Sequence, residues 1–195
     1  MSPQQKAEVE FWRGEFAKYK TPEEYVKIRQ VRDLGHYAEL LPEIHTEKGY
    51  GLDLGCGLVS VLGGLERCSI VAVDPLQDEY HRIYFDQSVT YNRSNGEKLK
   101  GFICEEFDFV WCMNAIDHTP NPERMIAEAH RVLKVGGHLY FFVNFDPELY
   151  APHYHLWDMS MVEVHLCVFK LLRGTQAWSE TWKKYIYAGL YRKEQ

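Results

Sequence analysis

GLDLGCGLVS, Gly51 to Ser60, places a carboxylate inside an apolar run and then two glycines one residue apart. The run Tyr50–Cys56 predicts a buried strand ending at Gly55. Gly55 and Gly57 sit where it turns out of the sheet. Glycine tolerates backbone angles and close approaches that a Cβ forbids, so the pair predicts a tight loop able to press its backbone against a ligand. Asp53, within the strand, is placed to orient that loop or to meet a positive group.

Working outward, Ser69–Pro75 (SIVAVDP) is a continuous β-branched run, the mark of a strand covered on both faces. It ends on Asp74, about 20 residues beyond the first strand, where a carboxylate can accept two hydrogen bonds from ribose hydroxyls. Phe107–Ile116 (FDFVWCMNAI) and Gly137–Phe145 (GHLYFFVNF) predict two more strands. Between them, NPERMIAEAHRVLK has Pro122 in its first turn and Gly136-Gly137 beyond its end, which predicts a helix. Strands alternating with helices imply a parallel α/β sheet. Upstream, the apolar spacing of Val9, Phe11, Trp12, Phe16 and Tyr19 predicts a helix over 8–19. Thr21-Pro22 starts a second, to about Leu34, and a third follows from about Gly35 to Leu41. Beyond Pro152 the chain predicts a short helix in DMSMVEVHLCV, then strands in FKLLRG and WKKYIYAGLYRK. No helix fits between these strands, so they are expected to pair antiparallel at one sheet edge.

The 195 residues suffice for one domain with a real core: residues 1–45 as a helical cap and 46–195 as the sheet-centred core. A formal net charge of -6 argues against a nucleic-acid partner. No apolar run is long enough to span a bilayer, so no membrane partner is expected. The N-terminus lacks the apolar centre of a secretion signal. The five cysteines form no C-x-x-C pair, which points to a reducing, cytoplasmic setting without a zinc site or disulfide framework.

The glycine pattern discriminates among ligands. Dinucleotide enzymes use G-x-G-x-x-G, whose third glycine lets helix and strand pack closely around a diphosphate. Here that position is Ser60. A nicotinamide-dependent reductase is therefore a weaker reading, and no Tyr-x-x-x-Lys pair stands in a predicted helix to support it. GLDLGCG, IVAVDP, FDFVWCMNAIDH and RVLKVGGHLYFF instead occur in the order and spacing of the class I S-adenosylmethionine-dependent methyltransferases. The chain resembles that family, of the type 11 kind, best over 50–145. DPLQDEY, NAIDHTPNP and HYHLW resemble a little-characterised bacterial branch.

The resemblance implies a Rossmann-like, three-layer α/β/α fold. Its seven-stranded sheet is mostly parallel, with an antiparallel last strand and N-terminal helices. It implies S-adenosyl-L-methionine as cofactor and S-adenosyl-L-homocysteine as product. Asp53, Gly55, Cys56 and Gly57 would serve the methionine part. Asp74 would take the ribose, with Pro75 and Leu76 beside the base. Asn95, Gly96 and Glu97 stand where the family has an acid-small-acid pattern; Asn95 replaces the acid that meets the adenine amino group, and Glu97 is the fallback. Asn114 would lie under the methionine part. Val59 replaces the third glycine of the common G-x-G-x-G.

Methyl transfer from a sulfonium needs alignment more than activation. A base helps where the acceptor must lose a proton, and His118 beside Asp117 is the candidate, since imidazole titrates near neutrality. The competing reading makes His118 a loop or helix cap. His153 and His155 invite a metal, but linear spacing implies no carboxylate or thiol partner, so none is expected. With Trp157 they are alternatively acceptor-pocket residues. Trp12, Phe16 and Tyr19 fit a lid over the cofactor. The acceptor is expected to be a small molecule, a sugar or glycan intermediate among the options. The alternative to an enzyme is a non-catalytic binder of the same cofactor, serving as sensor or partner subunit.

Overall fold

The computed structural model describes residues 1–180 and 183–195; Trp182, the first residue of the predicted final strand, lies outside them. The N-terminal helices are α1 (Pro3–Phe16), α2 (Pro22–Lys27) and α3 (Leu34–Leu40), with a π-helical segment, Ile28–Asp33, joining α2 to α3. Strands β1 (Gly49–Leu54), β2 (Cys68–Val73), β3 (Thr90–Asn92), β4 (Phe107–Met113), β5 (Leu133–Phe145), β6 (Lys170–Ser179) and β7 (Lys184–Arg192) form one sheet, in the order β3-β2-β1-β4-β5-β7-β6. Pairing is parallel from β3 to β5, while β7 runs antiparallel to both its neighbours. Short α4 (Gln77–Tyr80), α5 (Pro122–Val132) and α6 (Met159–Leu166) complete the helices.

Alternation along the central strands divides two cores. From β4 and β5, Val110, Cys112, Leu139, Phe141 and Val143 face α5 and α6, where they meet Met125, Ile126, Ala129, Val162 and Leu166. Phe109, Trp111, Tyr140 and Phe142 face the other way, onto Leu34, Tyr37, Ala38 and Leu41 of the N-terminal segment. The N-terminal helices thus supply one outer layer of the sandwich. After β1 the chain makes only a 3₁₀ turn, Val61–Gly64, before returning as β2.

Several boundaries differ from the sequence reading. Helix α1 starts at Pro3 because Ser2 and Gln5 form a capping box, Ser2 Oγ accepting from Gln5 N at 3.1 Å and Gln5 Oε1 from Ser2 N at 2.9 Å. The second predicted helix is broken by its π turns. Helix α5 stops at Val132, short of the glycine pair, because Leu133 is already extended and pairs with Phe107. The predicted edge pair is present, β6 lying antiparallel on β7.

Phe142 is fully buried, its ring centroid 4.7 Å from those of both Tyr37 and Trp111. Truncation there opens a cavity between the sheet and the N-terminal layer. Phe142→Ala should lower the unfolding free energy by about 3–5 kcal/mol in urea titrations; a loss under about 1 kcal/mol would show that this layer packs loosely.

Candidate active site

Strand order reverses between β1 and β4, where ligands of open α/β sheets bind beyond the strands' C-terminal ends. The loops leaving β1 and β4 meet there so closely that a Cβ on Gly55 would lie 2.3 Å from that of Ala115. Gly55 and Gly57 both adopt positive φ, +79° and +65°, so the expected backbone freedom is used. A cavity of about 700 Å³ opens above them, within the usual range for small-molecule sites.

Asp53, Gly55, Cys56, Gly57, Asp74, Pro75, Leu76, Asn95, Gly96, Glu97, Asn114 and His118 all line this cavity. Asp117 lies against its wall, with its side chain 1% exposed. Asp53 Oδ2 accepts from Ser60 Oγ at 2.6 Å. Burial pushes its carboxyl up to about 6, with Ser60 and Arg29 opposing. Asp74 accepts from Leu76 N (2.8 Å) and Gly57 N (3.2 Å). Burial raises it to about 7 against those bonds, with Glu8 adding to the rise. Burial also drives the Cys56 thiol upward, which keeps it neutral.

The Asn95–Glu97 turn is locally committed. Asn95 Oδ1 accepts from Glu97 N at 2.9 Å. Glu97 accepts from Thr119 Oγ1 (2.6 Å), Asn121 N (3.2 Å) and Asn121 Nδ2 (3.0 Å), and so ties this turn to the loop after β4. Asn114, at φ +46°, donates from Nδ2 to Tyr37 Oη at 3.2 Å.

Helix α1 crosses the cavity mouth. Trp12 packs on Gly57, where a Cβ would come within 2.9 Å of the indole. Trp12 Nε1 donates to Glu8 Oε1 at 2.6 Å, and Arg29 stacks over the indole at 4.9 Å. Glu8 Oε2 meets His118 Nδ1 at 2.7 Å. Burial disfavours charge on His118, but Asp117 and Glu8 outweigh it and raise the imidazole to about 9. The ring is therefore protonated at neutrality with α1 in this position, not the free base that the sequence suggests.

Trp12 and Tyr19 line the cavity as a lid requires; Phe16 instead packs on Tyr25 and Tyr84. His153 also lines it. Trp157 does not: it is buried against Phe141 in the α5–α6 core. His155 turns to the carbonyl of Pro120, 3.2 Å away. His153 has the carboxylate partner that linear spacing did not supply, Asp117 Oδ2 at 2.8 Å.

Arg29, Glu8 and Tyr37 carry no motif and escape the sequence reading. Arg29 is 8% exposed and pairs with Asp33 at 2.7 Å. Its Nε and the Oδ1 of Asn114 are buried without a hydrogen-bond partner among the described residues, and both residues line the cavity. A donor and an acceptor left open beside two buried acids fit a ligand bearing carboxylate, ammonium and hydroxyl groups. No sequence signal marks Arg29; the structure carries it on a π turn, a distortion common at functional sites.

Between pH 3.8 and about 7 the folded chain keeps a proton on Asp74 that the unfolded chain has lost. Stability at this group therefore falls as pH rises through that window. Asp74→Asn retains the neutral form at every pH. Its unfolding free energy in urea should match wild type near pH 4 and exceed it above pH 7, by about 4 kcal/mol. A gap independent of pH would contradict the burial argument.

Residues 52–141 match the methyltransferase domain family Methyltransf_11. The chain is 32% identical over 137 residues to the ubiquinone biosynthesis O-methyltransferase of Hahella chejuensis, covering 66% of this chain and 55% of that protein. The enzyme of the same name from Pseudomonas syringae pv. tomato is 32% identical over 107 residues, covering 51% of this chain and 46% of its own length. The chain thus spans about half the length of these curated relatives. Among solved structures, the N-methyltransferase NodS from Bradyrhizobium japonicum superposes with a TM-score of 0.66 at 12% identity, covering 84% of this chain and 97% of that one. A SAM-dependent methyltransferase from Methanosarcina mazei gives 0.62 at 21% identity, covering 78% and 97%. These two likenesses establish the fold. With the motifs and strand order, the match identifies residues 52–141 as a methyltransferase domain of the Methyltransf_11 family.

Proposed function

We propose that this protein transfers a methyl group from S-adenosylmethionine to a hydroxyl oxygen of a small molecule. The observation that carries the reading is the pair of buried acids, Asp53 and Asp74, flanking Gly55-Cys56-Gly57 at the strand-order reversal. Asp74 would hold the ribose hydroxyls, with Pro75 and Leu76 beside the adenine and the Asn95–Glu97 turn closing its edge. Asp53, Asn114 and the open Nε of Arg29 would hold the amino-acid end. The cofactor supplies an activated methyl group on a sulfonium, so the protein's task is alignment and exclusion of water.

The lid residues serve that exclusion. Trp12 covers the glycine loop, and Ser2 Oγ lies 3.1 Å from Tyr154 Oη, fastening the start of α1 to the segment after β5. His118, backed by Asp117, faces the acceptor side of the cavity. In this arrangement Glu8 holds its proton, so displacement of α1 by an acceptor would release the imidazole to take up a hydroxyl proton. Oxygen is favoured as the methylated atom by the curated relatives, which are O-methyltransferases. They lend no support to a sugar or glycan acceptor.

Incubation with labelled S-adenosylmethionine and a panel of hydroxylated aromatic compounds should yield a methyl ether, together with S-adenosylhomocysteine. Asp74→Ala should weaken S-adenosylhomocysteine affinity by about 10-fold or more, the loss expected for hydrogen bonds to a charged acceptor. Wild-type affinity in Asp74→Ala would refute the site; binding without any methylated product would favour the non-catalytic reading.

A further inference from the structure

Asp117, His118 and His153 converge although the two histidines are 35 positions apart. Their ligating atoms all lie within 4.8 Å of one another. His153 Nδ1 is 2.8 Å and His118 Nε2 3.8 Å from Asp117 Oδ2. A zinc-class cation bound at roughly 2.0–2.2 Å by nitrogen and oxygen needs ligand pairs on the order of 3–3.5 Å apart, and these two separations bracket that value.

Three further observations point to a ligand. Asp117 Oδ1 is buried and accepts no hydrogen bond from any described residue. Glu8 Oε2 engages His118 at Nδ1, which leaves Nε2, the nitrogen facing Asp117, as the one an incoming cation would bind in place of its proton. A carboxylate behind a ligating histidine is the usual support of a protein metal site. Finally, the two ligand segments are joined independently of their side chains, Tyr154 N donating to the carbonyl of Asp117 at 2.7 Å.

We propose that Asp117, His118 and His153 bind one divalent cation of the zinc class, with its remaining coordination positions open to the cavity. Two imidazoles and one carboxylate select a borderline transition metal; magnesium and calcium prefer oxygen ligands throughout. Three protein ligands with an open position match the catalytic rather than the structural kind of site. Asp146 Oδ2 lies 3.7 Å from His153 Nδ1 while Lys184 holds the Oδ1 of the same carboxylate, and the three ligands converge without it. Both histidines line the cavity, so an oxygen of a bound molecule can complete the coordination. Only the identification of that oxygen with the acceptor hydroxyl rests on the methyltransferase reading. With a cation present, His118 would be a ligand and not the base; the metal would lower the pKa of a bound hydroxyl, whose proton would pass to solvent.

The test titrates the untagged, chelator-treated full chain with Co²⁺ and then Zn²⁺, followed by absorption and calorimetry. The expected result is one Co²⁺ per chain, with nitrogen–oxygen ligand-field bands and no thiolate charge-transfer band, displaced by Zn²⁺ and not by equimolar Mg²⁺. His153→Ala and Asp117→Asn should each weaken Co²⁺ binding at least 10-fold, and Glu8→Gln by about 10–100-fold. His155→Ala should bind as wild type does. Circular dichroism and the urea-unfolding transition of each variant report that it is folded. Wild-type chain that takes up no stoichiometric Co²⁺, or folded His153→Ala that binds it undiminished, overturns the site. Loss of S-adenosylhomocysteine binding in wild type with Co²⁺ binding intact would instead overturn the methyltransferase reading and leave the cation site standing.

Discussion

Two carboxylates kept out of water at the reversal of strand order define this molecule. Asp53 and Asp74 end neighbouring strands, each less than a tenth exposed. Burial raises both well above the ordinary carboxylate range, to about 6 and about 7. A fold that only needed filling would place apolar side chains there. The hydrogen bonds from Ser60, Gly57 and Leu76 offset part of the cost and fix the carboxylate orientations. What they leave open is directed into one cavity.

The second organising feature is the N-terminal segment. Only a 3₁₀ turn fills the space after β1, so α3 and its neighbours cover that face of the sheet through Leu34, Tyr37, Ala38 and Leu41. The same segment delivers Arg29 to the cavity on a π turn, while α1 sets Glu8 and Trp12 over it. The N-terminal layer thus both covers the sheet and completes the lining of the cavity. The contacts run from Arg29 through Trp12 and Glu8 to His118 and Asp117, across the cavity.

Much of this was legible in the chain. Continuous apolar runs marked β1, β2, β4 and β5 because doubly covered strands need them. The glycine pair was legible because a tight turn demands that residue type, and the place of Asp74 because it closes the second apolar run. Strand β3 has only three residues and no pattern to betray it. The early stop of α5 was hidden because Gly136-Gly137 resembles a helix end, while β4 pairs with Leu133 first. Arg29, Glu8 and the meeting of His153 with Asp117 depend on segments distant in sequence, which no local spacing encodes.

The most direct examination of the central claim is a crystal structure of the full chain with S-adenosylhomocysteine. The account predicts both ribose hydroxyls on the Asp74 carboxylate and the amino-acid end against Asp53, Arg29 and Asn114. Ligand bound elsewhere, or an Asp74 carboxylate still contacting only the protein, would contradict it.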